Sequence, residues 1–405
     1  MLFRSQADVL RAAGVRIFGL NATVAQDMEP EYIAVSSDSA TAWVACQENN
    51  AIAVVDLLSK VVTDIQPLGY KDHGLPSNGL DASDKDGAIN IATYTNLFGM
   101  YQPDGISAFE AAGGAYLLTA NEGDSRDYDG FSEEKRVSKL KLDATAFPNA
   151  STLKGDAYLG RLTATTTLGD TDGDGDYDEL YTFGGRSFSI WKPTDSGMEL
   201  VFDSQDEIEQ ITAAMFPEYF NSDNTDNDSF DSRSDNKGPE PEGAAVGVID
   251  GRTYAFVGLE RIGGIMVYEI TDPSAPKFIQ YINHRDFSVD AEAGVADNAA
   301  GDLGPEGLEF IPASESPNGE NMLATANEVS GTTTLYNICV GGSSVVGDLD
   351  GDGDVDSNDV AIITFHRNQP AGVYPAADLD GDGAITALDI RKGALRCTRS
   401  GCAAN

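Results

Sequence analysis

The chain has 405 residues, of which 66 are acidic and 26 are basic, so its formal net charge is −40. This excess of negative charge argues against nucleic acid as a partner, because DNA and RNA are themselves polyanions. Apolar residues make up 41% of the chain, enough for a large core, but no apolar run is long enough to span a membrane. The acidic excess is typical of a solvated acidic surface or of a protein whose carboxylates bind cations.

Residues 1–14 predict no β-structure, only a short helix or a loop remnant at 6–13. They include two arginines but no apolar stretch of the kind found in a secretory signal. We therefore interpret 1–14 as an N-terminal remnant. We expect the full gene product to begin further upstream, with a signal sequence and further repeats.

A repeated unit of β-strands runs through residues 15–340. Each copy opens with a turn that contains Pro, passes through two apolar strands and closes on a glutamate; the clearest copy is GPEPEGAAVGVIDGRTYAFVGLE. The four copies run from Pro30 to Glu48, Pro103 to Glu122, Pro241 to Glu260 and Pro305 to Glu328. Short antiparallel strands in a repeated unit predict a mainly β fold, a β-propeller. We expect an N-terminally incomplete propeller with about five blades, near 30–68, 102–143, 159–204, 241–283 and 305–339.

The closing glutamates occupy equivalent positions in the repeats, and equivalent positions of propeller blades face one axis. The carboxylates expected to converge there are those of Glu48, Glu122, Glu260 and Glu328. Crowded carboxylates repel each other unless a cation lies among them. We therefore hypothesise a cation site beside Arg126 and Arg261. Its carboxylates would be Glu122, Glu242, Glu260, Glu306 and Glu328. The alternative is structural, with each glutamate capping turn amides or pairing with a neighbouring arginine.

Between the repeats, residues 69–87 predict a polar loop in which His73 is exposed, residues 206–220 predict a helix, and residues 221–238 predict a long polar loop. An aspartate ladder follows a predicted strand at 159–168. Its members are Asp170, Asp172, Asp174, Asp176 and Asp178. Alternating Asp with Gly175 at the sixth position matches the first half of a calcium loop, but Tyr181 stands at the twelfth position. We predict a hairpin stapled by Ca²⁺, without an EF-hand.

The C-terminal region, 347–405, follows a flexible linker at 341–346 and contains two twelve-residue calcium loops. The predicted ligands of the first loop are Asp348, Asp350, Asp352, Asp354, Asp356 and Asp359. Those of the second are Asp378, Asp380, Asp382, Ala384 (through its carbonyl) and Asp389. A helix is predicted after each loop, at 360–367 and 390–396. Cys397 and Cys402 are close enough in sequence to pair in an oxidising compartment, whereas Cys46 and Cys339 are expected to be buried thiols.

The two loops, each closing on Asp instead of Glu, resemble a dockerin type I domain over 347–402. The resemblance implies Ca²⁺ binding and attachment to a cohesin-like or cell-surface partner. Dockerins contact cohesins through loop positions ten and eleven. Here Ser357-Asn358 and Ala387-Leu388 replace the usual Ser/Thr pair.

Residues 15–340 resemble the choice-of-anchor I family, which is similar to the mesenchyme-specific cell-surface glycoproteins. The stretches that carry this resemblance are EPEYIAVS, QENNAIAVVDL, NGLDASDKDGAINI, TANEGDSRDYDGF, LGDTDGDGDYDELYTFGGRSFSIW, GPEPEGAAVG, YAFVGLERIGGIMVY and ANEVSGTTTLY. The resemblance implies an exported protein with a variable C-terminal attachment module. It also implies phytase-like or phosphatase-like chemistry at Glu242, Glu260, Glu306 and Glu328.

Three functions remain open, and whether the protein is an enzyme is not decided by the sequence. The first is a secreted or surface-attached calcium-binding protein. The second is a phosphoesterase that depends on a divalent metal in the propeller channel, with Arg126, Arg186, Arg233 or Arg261 clamping phosphate. The third is a dockerin-bearing protein of polysaccharide degradation. No G-x-S-x-G, H-E-x-x-H, P-loop or dinucleotide motif is present.

Overall fold

The computed structural model describes residues 6–291, 299–338, 346–350, 354–398 and 400–404. The predicted mainly β character is confirmed. In chain order the strands are β1 (Pro30–Val35), β2 (Thr41–Cys46), β3 (Ala51–Asp56), β4 (Val61–Pro67), β5 (Tyr70–Asp72), β6 (Leu97–Met100), β7 (Ile106–Ala111), β8 (Gly114–Asn121), β9 (Asp127–Tyr128), β10 (Phe131–Ser132), β11 (Glu134–Arg136), β12 (Thr163–Thr165), β13 (Leu180–Thr182), β14 (Ser187–Thr194), β15 (Gly197–Asp203), β16 (Pro241–Ile249), β17 (Arg252–Leu259), β18 (Ile265–Glu269), β19 (Lys277–Ile282), β20 (Pro305–Ile311), β21 (Asn321–Asn327) and β22 (Thr332–Ile338).

The described helices are short and lie between or after the sheets. The α-helices are α1 (Ala7–Ala13), α2 (Val24–Asp27), α3 (Ala150–Leu153), α4 (Glu207–Met215), α5 (Ser357–Phe365) and α6 (Ala387–Ala394). Single 3₁₀ turns occupy Val137–Lys139, Pro375–Ala377 and Ser400–Cys402. Among the described residues, none of these helices has the length and apolar character that crossing a membrane requires.

Four antiparallel sheets share one design, in which the first strand of each sheet is an edge. Their strand orders are β1-β2-β3-β4, β7-β8-β14-β15, β16-β17-β18-β19 and β20-β21-β22. The edge strands follow one another in space, because β1 packs beside β7, β7 beside β16, and β16 beside β20. Seven of the eight residues of β17 are buried, since neighbouring sheets cover both faces of this strand. The core therefore lies mostly between successive sheets.

Glycine allows two of these sheets to approach closely. Gly247 in β16 lies directly against the ring of Phe310 in β20, and a Cβ atom at this position would collide with the ring. Phe310 also stacks on Phe256 of β17, with ring centroids 6.0 Å apart. The glycine of β16 and the phenylalanine of β20 thus set the distance between these two sheets.

The predicted units at 102–143 and 159–204 are not two separate sheets, which corrects the sequence analysis. Strand β14 pairs with β8, in a register that sets Ser187 opposite Asn121 and Trp191 opposite Leu117. The described chain therefore has four sheets of the repeated design, not five. The intervening residues, 122–186, contain short strands that pair elsewhere. Local strand propensity could not reveal this long-range pairing, because both halves are equally strand-like.

The C-terminal helices pack against each other and against the β-rich part. Ile362 and Ile363 of α5 are fully enclosed, and the rings of Phe365 and Phe278 lie 6.1 Å apart. The predicted pairing of Cys397 with Cys402 is present as a disulfide. Cys46 is a buried thiol as expected, whereas Cys339 and most of the linker at 341–346 lie outside the described residues.

Candidate functional site

Three turns of the form Pro-acid-Gly bring carboxylates of neighbouring sheets together. The backbone of Gly105 lies against that of Glu242, donating its N–H to the Glu242 carbonyl at 3.0 Å, and a Cβ on Gly105 would collide with that carbonyl. A Cβ on Gly243 would likewise collide with the carbonyl of Glu306. Only glycine permits this approach. The motif therefore sets the acidic residues that precede the glycines, Asp104, Glu242 and Glu306, on successive neighbouring sheets.

The acidic side chains meet in what we call the central cluster, defined by the five carboxylates Asp104, Glu122, Glu240, Glu242 and Glu260. One oxygen each of Asp104, Glu122 and Glu242 lie within 4.8 Å of one another. The same holds for Glu122, Glu240 and Glu260. Glu122 thus belongs to both halves of the cluster.

Glu240 is fully buried, and among the described residues its negative charge is balanced by more cations than that of any other carboxylate in the central cluster. Three cations contact its carboxylate: Arg233 at 2.6 Å, Lys237 at 3.0 Å and Arg261 at 3.0 Å. Burial opposes ionisation of Glu240, but these cations outweigh it and hold its pKa below the usual range. Its backbone has φ of 52°, a conformation that is costly for a residue with a side chain and that clusters at functional sites.

Lys237 connects the two halves of the central cluster. Its Nζ lies 2.5 Å from Glu122 and 3.0 Å from Glu240, and its side chain is 11% exposed. Gln47 donates a second hydrogen bond to Glu122, at 2.8 Å. Burial raises the pKa of Glu122, although Lys237 and Gln47 favour the ionised form.

Three other carboxyl groups of the central cluster have fewer cations nearby to balance a negative charge. Burial, with Glu260 and Glu122 nearby, raises the pKa of Glu242 to about 10. Burial and the neighbouring Glu240 raise the pKa of Glu260 to about 8, even though Asn224 and Arg261 contact it. Burial raises the pKa of Asp104 to about 7. The site therefore holds either protons or cations that these side chains do not themselves supply.

The other predicted carboxylates of this site lie outside the central cluster. Glu306 and Glu328 are exposed, although Glu306 is close enough for its charge to raise the pKa of Glu242. Glu48 is buried, and burial raises its pKa to about 8; its environment includes Glu29 and Asp124 instead of Glu242 or Glu260. The structure thus brings together Glu122, Glu242 and Glu260 from the predicted set.

The arginines expected to clamp phosphate are all engaged by protein groups. Arg126 pairs with Asp27 at 2.9 Å and with Glu29 at 2.9 Å. Arg186 pairs with Glu209 at 2.8 Å and donates to backbone carbonyls. Arg233 and Arg261 bind Glu240. A phosphate group would have to displace these partners, so the geometry adds no support to phosphoesterase chemistry.

Sequence reasoning missed Lys237 and Glu240, the two most tightly paired members of the site. Both come from the long polar segment 221–240, which is largely buried and folds over the central cluster. The sequence feature that could have identified them is the group of charged residues Arg233, Lys237 and Glu240 next to the Pro-Glu-Gly turn. His73 was also misjudged, since it is buried and its Nδ1 lies 2.7 Å from the Asn78 carbonyl oxygen.

The aspartate ladder does not close a hairpin, which corrects the prediction. Strand β12 pairs with β11, and β13 pairs in parallel with β6, so the ladder links two different sheets. Asp170 accepts hydrogen bonds from the N–H groups of Gly173 and Gly175, at 2.8 and 3.0 Å. Oxygens of Asp170, Asp172 and Asp178 lie within 4.8 Å of one another. Asp174 is exposed, and Asp176 pairs with Lys141 at 2.9 Å.

The second C-terminal loop begins with the same hydrogen-bond pattern as the ladder. Asp378 accepts from the N–H groups of Gly381 and Gly383, at 2.8 and 2.9 Å. Asp389 accepts from the N–H groups of Asp380 at 3.1 Å and Thr386 at 2.8 Å. The twelfth residue therefore ties the start of the loop to the first turn of α6, as a capping box.

The first C-terminal loop has the same arrangement. Asp359 accepts from the N–H groups of Leu349 at 2.5 Å and Asp356 at 2.8 Å, and its oxygens approach those of Asp348 and Asp350 within 4.8 Å. Asp352 lies outside the described residues. In the second loop, Asp380 Oδ2 is buried and has no hydrogen-bond partner within the part of the chain that the structure describes, as expected of an oxygen that ligates an ion. An all-oxygen donor set of this kind fits Ca²⁺.

Two family models match the chain. Residues 2–273 match the choice-of-anchor I domain, and residues 346–392 match the dockerin type I domain. Gigasin-3a of Magallana gigas is 32% identical over 192 residues, which cover 46% of this chain and 66% of that protein. The mesenchyme-specific cell surface glycoprotein of Strongylocentrotus purpuratus is 31% identical over 282 residues, which cover 61% of this chain and 35% of that protein. The chain thus spans less than two thirds of the length of each relative.

Solved structures are similar only at a low level. Hydrazine synthase of Kuenenia stuttgartiensis aligns with a TM-score of 0.23 and 15% identity, over 79% of this chain and 87% of that one. A putative 6-phosphogluconolactonase of Bacteroides fragilis aligns with a TM-score of 0.28 and 12% identity, over 76% and 66% of the two chains. Similarity at this level supports no inference about fold or chemistry.

Proposed function

Because the chain belongs to the choice-of-anchor I family and carries a dockerin type I domain, we propose that it is an extracellular or cell-surface attachment protein. Its dockerin domain, loaded with Ca²⁺, would bind a cohesin-like partner. The main support is a set of hydrogen bonds to the carboxylates of Asp359 and Asp389. Each of these carboxylates links a calcium loop to the helix that follows it. Calcium bound in each loop would supply the charge that holds these carboxylates together and orders α5 and α6.

For the β-rich part we propose a β-propeller arrangement. Each of the four repeated sheets is antiparallel, and its first strand is an edge. Those first strands lie side by side in the order β1, β7, β16 and β20. Antiparallel sheets that radiate from adjacent first strands are the arrangement of successive propeller blades. In this proposal the dockerin domain attaches the propeller formed by these sheets to the cohesin-like partner.

The second repeat of the dockerin domain is the better candidate for the partner surface. Leu388, at position eleven of the second loop, is 50% exposed, and Ala387 beside it is also exposed. In the first repeat, Asn358 is half-buried, and α5 packs on the β-rich part through Phe365 and Phe278. An apolar side chain exposed at a helix start suits a partner with an apolar pocket.

Binding of the full chain to a panel of type I cohesin modules tests this proposal. We expect Leu388→Asp to weaken binding at least tenfold, because a charge would replace an apolar contact at the interface. The matched control is Asn358→Asp, at position eleven of the first repeat, and it should bind like the unaltered protein. Two results would refute the proposed attachment surface. One is that Leu388→Asp binds as strongly as the unaltered protein, and the other is that the unaltered protein binds none of the cohesins in calcium.

A further inference from the structure

The central cluster is unevenly compensated. Its cations all approach Glu240, Glu260 or Glu122: Lys237, Arg233 and Arg261 lie within 3.3 Å of one or more of these carboxylates. Asp104 and Glu242 have no such ion pair among the described residues. When all five carboxylates are ionised, the three cations leave two negative charges unbalanced. This surplus lies in the half formed by Asp104, Glu122 and Glu242.

Glu242 is the independent sign that this half accommodates a ligand. The residue is only 9% exposed, and its Oε2 is buried without a hydrogen-bond donor among the described residues. An unsatisfied buried carboxylate oxygen is costly, on the order of 1–3 kcal/mol or more. The Gly105 backbone, packed against that of Glu242, keeps Glu242 in place, so the side chain is held within the cluster by the fold.

The distances suit a single ion. The three carboxylate oxygens lie within 4.8 Å of one another, and oxygens that surround one Ca²⁺ at 2.3–2.6 Å are separated by at most about 5 Å. The donors are all oxygen, which favours Ca²⁺ over softer metals. One divalent cation also matches the surplus of two negative charges.

We propose that Asp104, Glu122 and Glu242 bind one calcium ion, at a site separate from the dockerin loops and from the aspartate ladder. Lys237 and the two arginines act as built-in cations for the other half of the central cluster. The ion would join the sheet that begins with β7 to the sheet that begins with β16. The proposal does not depend on cohesin binding.

Calcium stoichiometry of the full chain tests the proposal. The protein and its Glu242→Gln variant are dialysed to equilibrium against about 1 mM free Ca²⁺, within the range of extracellular sites, and bound calcium per chain is measured. We expect Glu242→Gln to bind one ion fewer while still binding cohesin. The matched control is Glu328→Gln, which removes an exposed closing glutamate and should bind the same number of ions as the unaltered protein.

Asp104→Asn is the second variant, because it removes a half-buried ligand from the same site and is available if Glu242→Gln fails to fold. It too should lose one ion per chain. A folded Glu242→Gln or Asp104→Asn variant that binds as much calcium as the unaltered protein would overturn the proposal. Protons, not an ion, would then neutralise the carboxyls.

Discussion

Replacing Lys237 by methionine removes the cation that joins the two halves of the central cluster while keeping most of the apolar stem. Lys237 contacts Glu122 at 2.5 Å and Glu240 at 3.0 Å, and these two carboxylates are 9% and 0% exposed. Removing one partner of a buried ion pair costs about 3–5 kcal/mol. Glu240 retains Arg233 and Arg261, whereas among the described residues Glu122 retains only the hydrogen bond from Gln47. We therefore expect a loss near the lower limit, about 3 kcal/mol.

Native-state hydrogen exchange measures this loss, because it reports local opening and does not require the whole chain to unfold in two states. In chelator at pH 7, amides of β16 and β17 should exchange about 150-fold faster in Lys237→Met, the factor that corresponds to about 3 kcal/mol. The control is Lys85→Met, which removes a 56% exposed lysine that pairs with Asp84 and should cost less than about 1 kcal/mol. Equal, small effects of both variants would refute the account of Lys237.

Two further predictions concern pH and the aspartate ladder. Burial, with Lys71 nearby, lowers the pKa of His73 to about 3, so the unfolded chain binds the proton more readily and stability falls as the pH drops below about 6.5. Between pH 7 and pH 5 the loss of stability from this group is about 2 kcal/mol. In native-state hydrogen exchange, corrected for the intrinsic effect of pH, His73→Gln should lack that part of the pH dependence, and exposed His284→Gln should keep it. Asp172→Ala with Asp174→Ala should reduce the rise in melting temperature that calcium produces in the full chain, and an unchanged rise would mean that the ladder is a solvated turn.

Local patterns in the sequence predicted much of the fold. Apolar strands bounded by turn residues predicted β16 and β17, and the spacing of Asp and Gly predicted loops that precede α5 and α6. The pairing of β8 with β14 was not predictable in this way, because 65 residues separate Asn121 from its partner Ser187 along the chain and no local signal selects one partner strand over another.

The site was predicted only in part for a similar reason. The repeated turn and closing glutamate pointed to Glu122, Glu242 and Glu260, because repetition in sequence implies equivalent positions in space. Lys237 and Glu240 belong to no repeat, and they lie in a segment whose polarity is typical of solvent exposure. Their burial depends on partners far away in sequence, including Glu122, and so it follows from the tertiary structure.

The most direct test of the central claim is cohesin binding by the full chain, measured with calcium and again after its removal. Asp389→Ala provides a second way to disable one loop, because Asp389 joins the second loop to α6; exposed Asp286→Ala is the control. We predict strong binding in calcium, loss of binding in chelator and in Asp389→Ala, and full binding by Asp286→Ala. Binding of equal strength with and without calcium would contradict the proposal that calcium-loaded dockerin loops attach this protein to its partner.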